Sequence, residues 1–389
     1  MNHGRIVFSQ LMDFLPLHAF RQAVARYGGE RRVKSFSCLD QFYCMAFAQL
    51  TFRESLRDIE TCLRTLPARL YHMGIRGRVC RSTLADANER RDWRIYADLA
   101  QVLIALARPL YANEEFGLRL KRAVYAFDST VVDLCLSLFP WALFRRRKGA
   151  VKLHTLLELR GQIPCFVAIT HAKVHDVQAL DQLVLEPGAT YVMDRGYCDF
   201  LRLYRFTQEG AFFVTRARCN LDFRACAWRS VDQAGGLRCD QTITLRGPKS
   251  SRRYPQPLRR IAFVDPETGK RFVFLTNDFR LAPRTICQLY RRRWDVEVFF
   301  KWIKQHLRIK AFFGTTPNAA KTQIWIAIGV YVLLAIAKKR LGLSHDLGQI
   351  LQILSVTIFE KSPILQVFCQ EPSPIELADD YNQLPLFDL

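Results

Sequence analysis

The 389-residue sequence is poor in acidic residues and lacks the motifs of several common protein classes. It has 36 Asp and Glu residues against 57 Lys and Arg residues, which gives a formal net charge of +21. Its 12 cysteines include no Cys-x-x-Cys pair, so the sequence does not indicate a zinc ribbon or finger. Residues 1–16 lack an apolar segment followed by a small-residue cleavage site, which predicts no secretory signal and reduced cysteines.

Long apolar runs are also scarce. The run from Ile324 to Ala337 is shorter than the roughly 20 residues that a membrane-spanning helix needs. The cations at 338–340 suit the negative end of a helix dipole, so we expect a core helix and no membrane span. Because half of the residues are hydrophobic, we expect most of the chain to fold around hydrophobic cores.

The excess of positive charge indicates a polyanionic partner, and nucleic acid is the usual one for proteins of this charge. The alternative is a basic soluble protein without a specialised partner. Composition alone leaves both interpretations open.

Residues 1–115 are predicted to be a helical N-terminal domain. Helices are indicated over 51–63, with Thr51 as a cap, and over 81–107, with Ser82 as a cap. The many arginines favour DNA binding, while a helical scaffold remains an equal alternative.

The pattern changes in residues 116–217, where we predict the first part of an α/β core. Strands are indicated over 123–130 and 190–197, a hairpin over 151–170 and a helix over 176–185. A hairpin followed by strand–helix–strand is typical of a mixed sheet with helices on its faces.

Residues 218–284 are predicted to be a β-rich insertion of its own, because its apolar runs are separated by turn signals. Residues 285–345 are predicted to complete the core with two helices, over 284–308 and 316–341. Residues 346–389 are predicted to be a C-terminal tail, whose acidic, proline-containing part, 371–389, is expected to be a surface strap or partly disordered.

Three carboxylates are candidate metal ligands. Asp128 and Asp194 each stand at the end of a predicted strand, where sites in α/β proteins cluster, and Glu297 stands on a predicted helix. Carboxylate oxygens are the protein ligands that Mg²⁺ prefers. Two such ions about 4 Å apart support phosphoryl transfer, so the set predicts metal-dependent chemistry on phosphate esters.

The segment from Tyr290 to Lys304 places Glu297 among five Arg and Lys residues. At about 100° per residue, one narrow stripe centred on the glutamate contains several cations and a tyrosine: Tyr290, Arg293, Lys301, Lys304 and Arg308. A substrate with several phosphates along that stripe would be nucleic acid. The alternative is an ordinary amphipathic helix whose glutamate pairs with its neighbours four residues away.

The spacing Y-(2)-R-(3)-E-(6)-K, from Tyr290 through Arg293 and Glu297 to Lys304, resembles the signature of DDE transposases of the fourth insertion-sequence family. The segments AFDST, with Asp128, and MDRGY, with Asp194, resemble that family's two aspartate blocks. HAKVHD between them is also similar to the family's sequences. The resemblance covers roughly residues 120–340 and includes, more weakly, the helical region before it.

The resemblance implies an RNase H-like core with Asp128, Asp194 and Glu297 as catalytic metal ligands. It implies two Mg²⁺ ions, replaceable by Mn²⁺, which support cleavage at transposon ends and strand transfer into target DNA. A cut-and-paste route through a hairpin intermediate is expected. The partners would be double-stranded DNA and a second copy of the chain in a synaptic dimer, acting at the bacterial nucleoid in the cytoplasm.

The resemblance also implies DNA contacts by Tyr290, Arg293 and Lys304. Lys301 on the same stripe, Arg195 after the second aspartate and the insertion's Trp228 are further candidates for DNA contact. Relatives stack an extruded base on a tryptophan in the insertion; Trp228 is the candidate here, with Tyr254 and Trp294 as alternatives. Two other functions remain open: an RNase H-like nuclease without strand transfer, and a catalytically silent DNA-binding protein.

Overall fold

A computed structural model describes residues 4–65, 67–114, 116–118, 120–145, 148–307 and 312–369. The helices are α1 Val7–Met12, α2 Leu17–Arg26, α3 Cys38–Leu50, α4 Leu56–Arg64, α5 Pro67–Met73, α6 Arg81–Arg90, α7 Arg94–Tyr111, α8 Phe200–Gln208, α9 Pro248–Arg253, α10 Pro283–Arg291, α11 Trp294–His306, α12 Pro317–Leu341, α13 Leu347–Thr357 and α14 Ile364–Cys369. The strands are β1 Val124–Leu134, β2 Leu143–Arg145, β3 Lys148–Glu158, β4 Ile163–His171, β5 Thr190–Met193, β6 Phe212–Arg216, β7 Phe223–Arg229, β8 Leu237–Leu245, β9 Leu258–Val264 and β10 Arg271–Thr276.

The N-terminal third is helical, as predicted, but neither predicted cap starts a helix. Ser82 lies inside α6, whose N-cap is Cys80 without a side-chain hydrogen bond. Thr51 ends α3, and the side chain of Ser55 instead caps α4 by accepting from the backbone N–H of Asp58. The predicted helix over 81–107 is two helices, because the chain leaves helical geometry at Arg91. Asp92 then accepts from the backbone N–H of Arg94 at 2.9 Å, at the start of α7.

Helix α12 is the buried centre of the molecule, with α7 and α3 among the helices packed around it. Its 25 residues begin at the Thr316 cap and end at Gly342, whose φ of 65° favours glycine. By length and composition it could cross a membrane, but 94% of its most apolar window is buried within the protein. The sequence prediction of a core helix is therefore confirmed, although the helix is longer than the apolar run.

The central sheet has the order β4-β3-β1-β5-β6 at one end, with β2 also pairing with β3. Strand β1 is antiparallel to β3 and parallel to β5, and β5 is parallel to β6. This mixed sheet with helices against it is the predicted RNase H-like arrangement. The predicted helix over 176–185 is a 3₁₀ helix, Asp176–Gln182.

The β-rich insertion is not a separate sheet. Strand β10 pairs with β6, so β10, β9, β8 and β7 continue the central sheet outward in that order. A buried ion pair supports this extension: Arg259 of β9 donates two hydrogen bonds to Asp240 of β8, at 2.9 and 2.6 Å. Burial of an isolated charge would be costly, and this bidentate pair avoids that cost.

The predicted C-terminal tail is partly helical. Helix α13 begins with a capping box between Asp346 and Gln349 and buries Ile350, Leu351 and Leu354. Helix α14 follows, and residues 370–389 lie outside the described part of the chain. The sequence pattern missed these helices because the acidic, proline-containing segment after them dominated the composition.

Candidate active site

The strand register places the two aspartates side by side. The parallel ladder between β1 and β5 ends with Phe127 opposite Met193, so Asp128 and Asp194 are the next residues on neighbouring strands. Neighbouring strands lie about 4.8 Å apart. The sequence predicted that Asp128 ends a strand, but β1 continues to Leu134, paired with β3 alone. Asp128 is the first residue of β1 beyond its ladder with β5, so its side chain still lies at the edge of the sheet where β5 ends.

Glu297 comes to these aspartates on α11. The predicted continuous helix over 284–308 is interrupted: α10 ends at Arg291, and α11 starts at Trp294 after a tight turn. The helical spacing of the segment places its apolar side chains to one side of Glu297, and these side chains are all buried: Val296, Phe300, Ile303 and Leu307. Arg308, predicted for the same stripe, lies outside the described residues.

Arg293, in the turn between the helices, joins two of the three carboxylates. Its Nη1 donates to Asp128 Oδ2 at 2.7 Å, and its Nη2 contacts Glu297 Oε1 at 2.8 Å. The Arg293 side chain is only 9% exposed, against 35% for Glu297. One guanidinium group therefore spans the gap between the two acids.

The third carboxylate is held by the tyrosine of the predicted signature. The Tyr290 hydroxyl donates to Asp194 Oδ1 at 2.8 Å. Burial opposes ionisation of Asp194, but this hydrogen bond, a backbone N–H and the charge of Arg293 outweigh it and lower its pKa. At Asp128 burial prevails over the Ser129 N–H and Arg293, and raises the pKa to about 6.

The other predicted contact residues separate into two groups. Lys304 donates to Thr130 Oγ1 at 2.5 Å and to the Val131 carbonyl at 2.8 Å, on the part of β1 beyond its ladder with β5. Lys301 and Arg195 are exposed. Lys304 thus holds α11 to β1, while the other two cations face solvent.

The three aromatic candidates occupy different environments. Tyr254 is 1% exposed and its hydroxyl hydrogen-bonds Thr207, so its ring is not accessible for stacking a base. Trp228 is 67% exposed on β7, the outermost strand of the extended sheet. Trp294 is 58% exposed, and the guanidinium carbon of Arg293 lies 5.5 Å from its ring centroid.

A polar cluster that the sequence did not single out lies beside Asp128. Asp176 Oδ1 accepts from Ser129 Oγ at 2.7 Å and lies 3.0 Å from Lys152 Nζ. Burial disfavours the charged form of Asp176, but these two partners outweigh it and lower its pKa. Asp176 ends the HAKVHD segment, which was the available signal; its pairing with β1 and β3 residues is long-range.

The three carboxylates are all oxygen donors, which suits a hard divalent cation. As they stand, no three His, Cys, Asp or Glu side chains in the described ranges are grouped closely enough to hold an ion. Arg293 occupies the position between Asp128 and Glu297 instead. The donor chemistry therefore fits a metal, provided that the guanidinium moves away.

Comparison with known proteins shows the family of this chain. The Transposase DDE domain family matches residues 119–333, and a domain family of unknown function, DUF4372, matches residues 3–76. A chain named as a transposase from Sinorhizobium fredii is 32% identical over 75% of this chain and 80% of its own length. A chain named as an insertion-sequence transposase from Geobacillus stearothermophilus is 32% identical over 56% of this chain and 57% of its own.

Among solved structures, the synaptic complex of piggyBac transposase with hairpin DNA matches with a TM-score of 0.48 and 10% identity. The match covers 93% of this chain and 81% of that one.

Proposed function

Because this chain belongs to the DDE transposase family and is a DNA transposase, we propose that Asp128, Asp194 and Glu297 are its catalytic carboxylates. The observation that carries the proposal is their convergence: Arg293 joins Asp128 to Glu297, and Asp194 stands at the neighbouring strand position. The fourth insertion-sequence family is the best specific assignment, because Tyr290, Arg293, Glu297 and Lys304 have its spacing.

Enzymes of this family use divalent metal ions. Two Mg²⁺ ions would be held by the three carboxylates and would supply charge stabilisation at the attacking and leaving oxygens of a phosphodiester. The protein's part is to orient the acids. Tyr290 fixes Asp194, and Lys304 holds the glutamate helix against β1, so the site is set by rigid elements.

The DNA route that fits the signature is cut-and-paste through a hairpin. A hairpin requires an extruded base, which costs a few kcal/mol and needs an aromatic surface. Trp294 is better placed for that stacking than Trp228, because it is exposed directly beside Arg293. Two ends must be brought together, so the active assembly is proposed to be a homodimer.

Binding of the transposon ends is assigned to the N-terminal helical region, residues 1–115. Within it, residues 64–83 contain five arginines and no acid, and all five are exposed. Arg76 and Arg78 line one groove together with Tyr71, whose side chain is 75% exposed. Exposed arginines beside an aromatic ring suit contacts to phosphates and sugars.

Glu297→Gln tests the proposal. The variant should lose cleavage and strand transfer by at least about 10³-fold, since it removes a metal ligand, while its DNA affinity stays within a few-fold. The assay is a single-turnover reaction with paired transposon ends and Mg²⁺, followed by electrophoresis of cut and joined products. Asp295→Asn is the matched control, because Asp295 is on the same helix and pairs with Arg292 at 2.9 Å instead.

The same assay separates the alternatives. Cut products without joined products from the unmodified protein would support a nuclease without strand transfer. DNA binding without either product would support a silent DNA-binding protein. Residual cleavage by Glu297→Gln near the unmodified rate would refute the site assignment.

A further inference from the structure

Arg293 binds two of the proposed metal ligands at once. Its two terminal nitrogens contact Asp128 at 2.7 Å and Glu297 at 2.8 Å. The side chain is 9% exposed, and its Nε is buried with no hydrogen-bond partner among the described residues. The guanidinium therefore lies inside the carboxylate cluster and not on its solvent side.

A guanidinium and a divalent ion cannot both occupy that position. Mg²⁺ binds carboxylate oxygens at about 2.1 Å, so an ion shared by Asp128 and Glu297 would take the space where Arg293 now donates. Charge-assisted hydrogen bonds to buried carboxylates are among the strong ones. Metal binding in the free protein must therefore displace them, which weakens the apparent affinity.

We propose that Arg293 withholds Asp128 and Glu297 from metal until a DNA phosphate takes its guanidinium. This proposal rests on the assignment of the catalytic carboxylates above. Arg293 is a positioning residue in this scheme, since it acts through the two acids. Phosphate is a fitting second partner because its two non-bridging oxygens, like those of a carboxylate, can accept two hydrogen bonds from one guanidinium.

The consequence is a coupling between the metal site and the DNA site. If DNA releases the carboxylates, DNA tightens metal binding, and by linkage metal tightens DNA binding by the same factor. The free protein would hold metal poorly in the absence of DNA. Phosphodiester chemistry would then be confined to the complex with DNA.

The test measures Mn²⁺ binding to the purified full chain by electron paramagnetic resonance of the free ion, independently of activity. Arg293→Gln should bind Mn²⁺ roughly tenfold or more tightly than the unmodified protein without DNA, because the competing cation is gone. Arg293→Lys should fall between them, since an ammonium lacks the forked geometry. Arg292→Gln is the matched control, because that arginine pairs with Asp295 at 2.9 Å.

A second arm adds a 30-base-pair random-sequence duplex, with the double variant Asp128→Asn, Glu297→Gln titrated in parallel to subtract Mn²⁺ bound by DNA. DNA should tighten Mn²⁺ binding several-fold more in the unmodified protein than in Arg293→Gln. If DNA tightened Mn²⁺ binding equally in both proteins, Arg293 would not be exchanging its carboxylate partners for a DNA phosphate. Unchanged or weaker Mn²⁺ binding by folded Arg293→Gln, checked by circular dichroism, would overturn the blocking role.

The Mn²⁺ titrations distinguish a wrong assignment of the carboxylates from a wrong role for Arg293. Mn²⁺ binding by Asp128→Asn, Glu297→Gln equal to that of the unmodified protein would refute the carboxylate site itself. Loss of Mn²⁺ in that double variant, with no gain in Arg293→Gln, would refute only the role of Arg293.

Discussion

The hydrogen bond from Tyr290 to Asp194 gives the sharpest prediction about how the site is held. Tyr290→Phe removes one hydroxyl and keeps the ring, whose centroid lies 4.8 Å from that of Phe274. Asp194 Oδ1 then loses its 2.8 Å donor, and the carboxylate can rotate away from its present orientation. The pKa of Asp194 should rise, because burial is no longer outweighed as strongly.

The size of the effect follows from the kind of bond removed. Partners that orient a metal ligand typically contribute about 10–100-fold to metal affinity or activity. A hydrogen bond to a charged group contributes about 1.5–3 kcal/mol to folding, and half-burial of Asp194 favours the lower end. We therefore expect Mn²⁺ binding about tenfold weaker, a similar loss of cleavage rate and about 1.5 kcal/mol lower stability.

The stability loss should depend on pH. The folded-state pKa of Asp194 is lowered, so its ionised form stabilises the protein at neutral pH and this contribution disappears as pH falls through that pKa. In urea titrations, the difference between Tyr290→Phe and the unmodified protein should therefore stay constant from pH 7 to about pH 5 and shrink as the pH falls below the ordinary aspartate pKa of about 3.9.

Tyr331→Phe is the matched control, since it removes another buried tyrosine hydroxyl, which donates to the Gln162 carbonyl at 3.0 Å. It should lower stability without changing Mn²⁺ affinity. Unchanged or tighter Mn²⁺ binding by Tyr290→Phe would refute the orienting role. Equal Mn²⁺ losses in both tyrosine variants would show a general loosening of the fold instead.

Two further predictions concern DNA. The triple variant Arg76→Gln, Arg78→Gln, Arg81→Gln should bind transposon ends more weakly, as measured by fluorescence anisotropy. The slope of log K against log salt should fall by about 0.9 for each phosphate that the protein no longer neutralises. An unchanged slope would show that this surface does not contact DNA phosphates. Trp294→Ala should abolish the fluorescence change of 2-aminopurine placed at the flanking base, since base stacking on an aromatic ring contributes about 1–3 kcal/mol. Trp228→Ala should keep that fluorescence change. The reverse pattern would assign base stacking to Trp228 in the insertion.

The sequence was sufficient to predict that Asp128, Asp194 and Glu297 lie close together in the fold. Apolar residues at helical spacing, among them Val296 and Ile303, indicate the face of the helix that is buried, and the same spacing places Glu297 to one side of that face. Strand patterns placed Asp128 and Asp194 near one edge of a sheet. These features depend on local periodicity, which a single sequence records directly.

Other features depend on contacts between distant segments and were not predictable. The insertion joins the central sheet through the pairing of β10 with β6, and no local pattern specifies which strand receives an added edge. The Asp176 cluster joins Ser129 and Lys152 from two other strands. The end of the β1–β5 ladder at Phe127 depends on the length of β5, which the sequence pattern overestimated.

Two signature residues at the junction of α10 and α11, Tyr290 and Arg293, reach different aspartates. Side chains three or four residues apart on a helix lie about 5–6 Å apart, close to the 4.8 Å between neighbouring strands. Tyr290 can thus reach Asp194 while Arg293 reaches Asp128 on the next strand. In the turn, the Arg293 N–H donates to the Tyr290 carbonyl at 3.1 Å, and its own carbonyl accepts from the Val296 N–H at 3.2 Å. Exchange of a carboxylate for a phosphate would therefore be a movement of the Arg293 side chain, while Glu297 stays on a rigid helix.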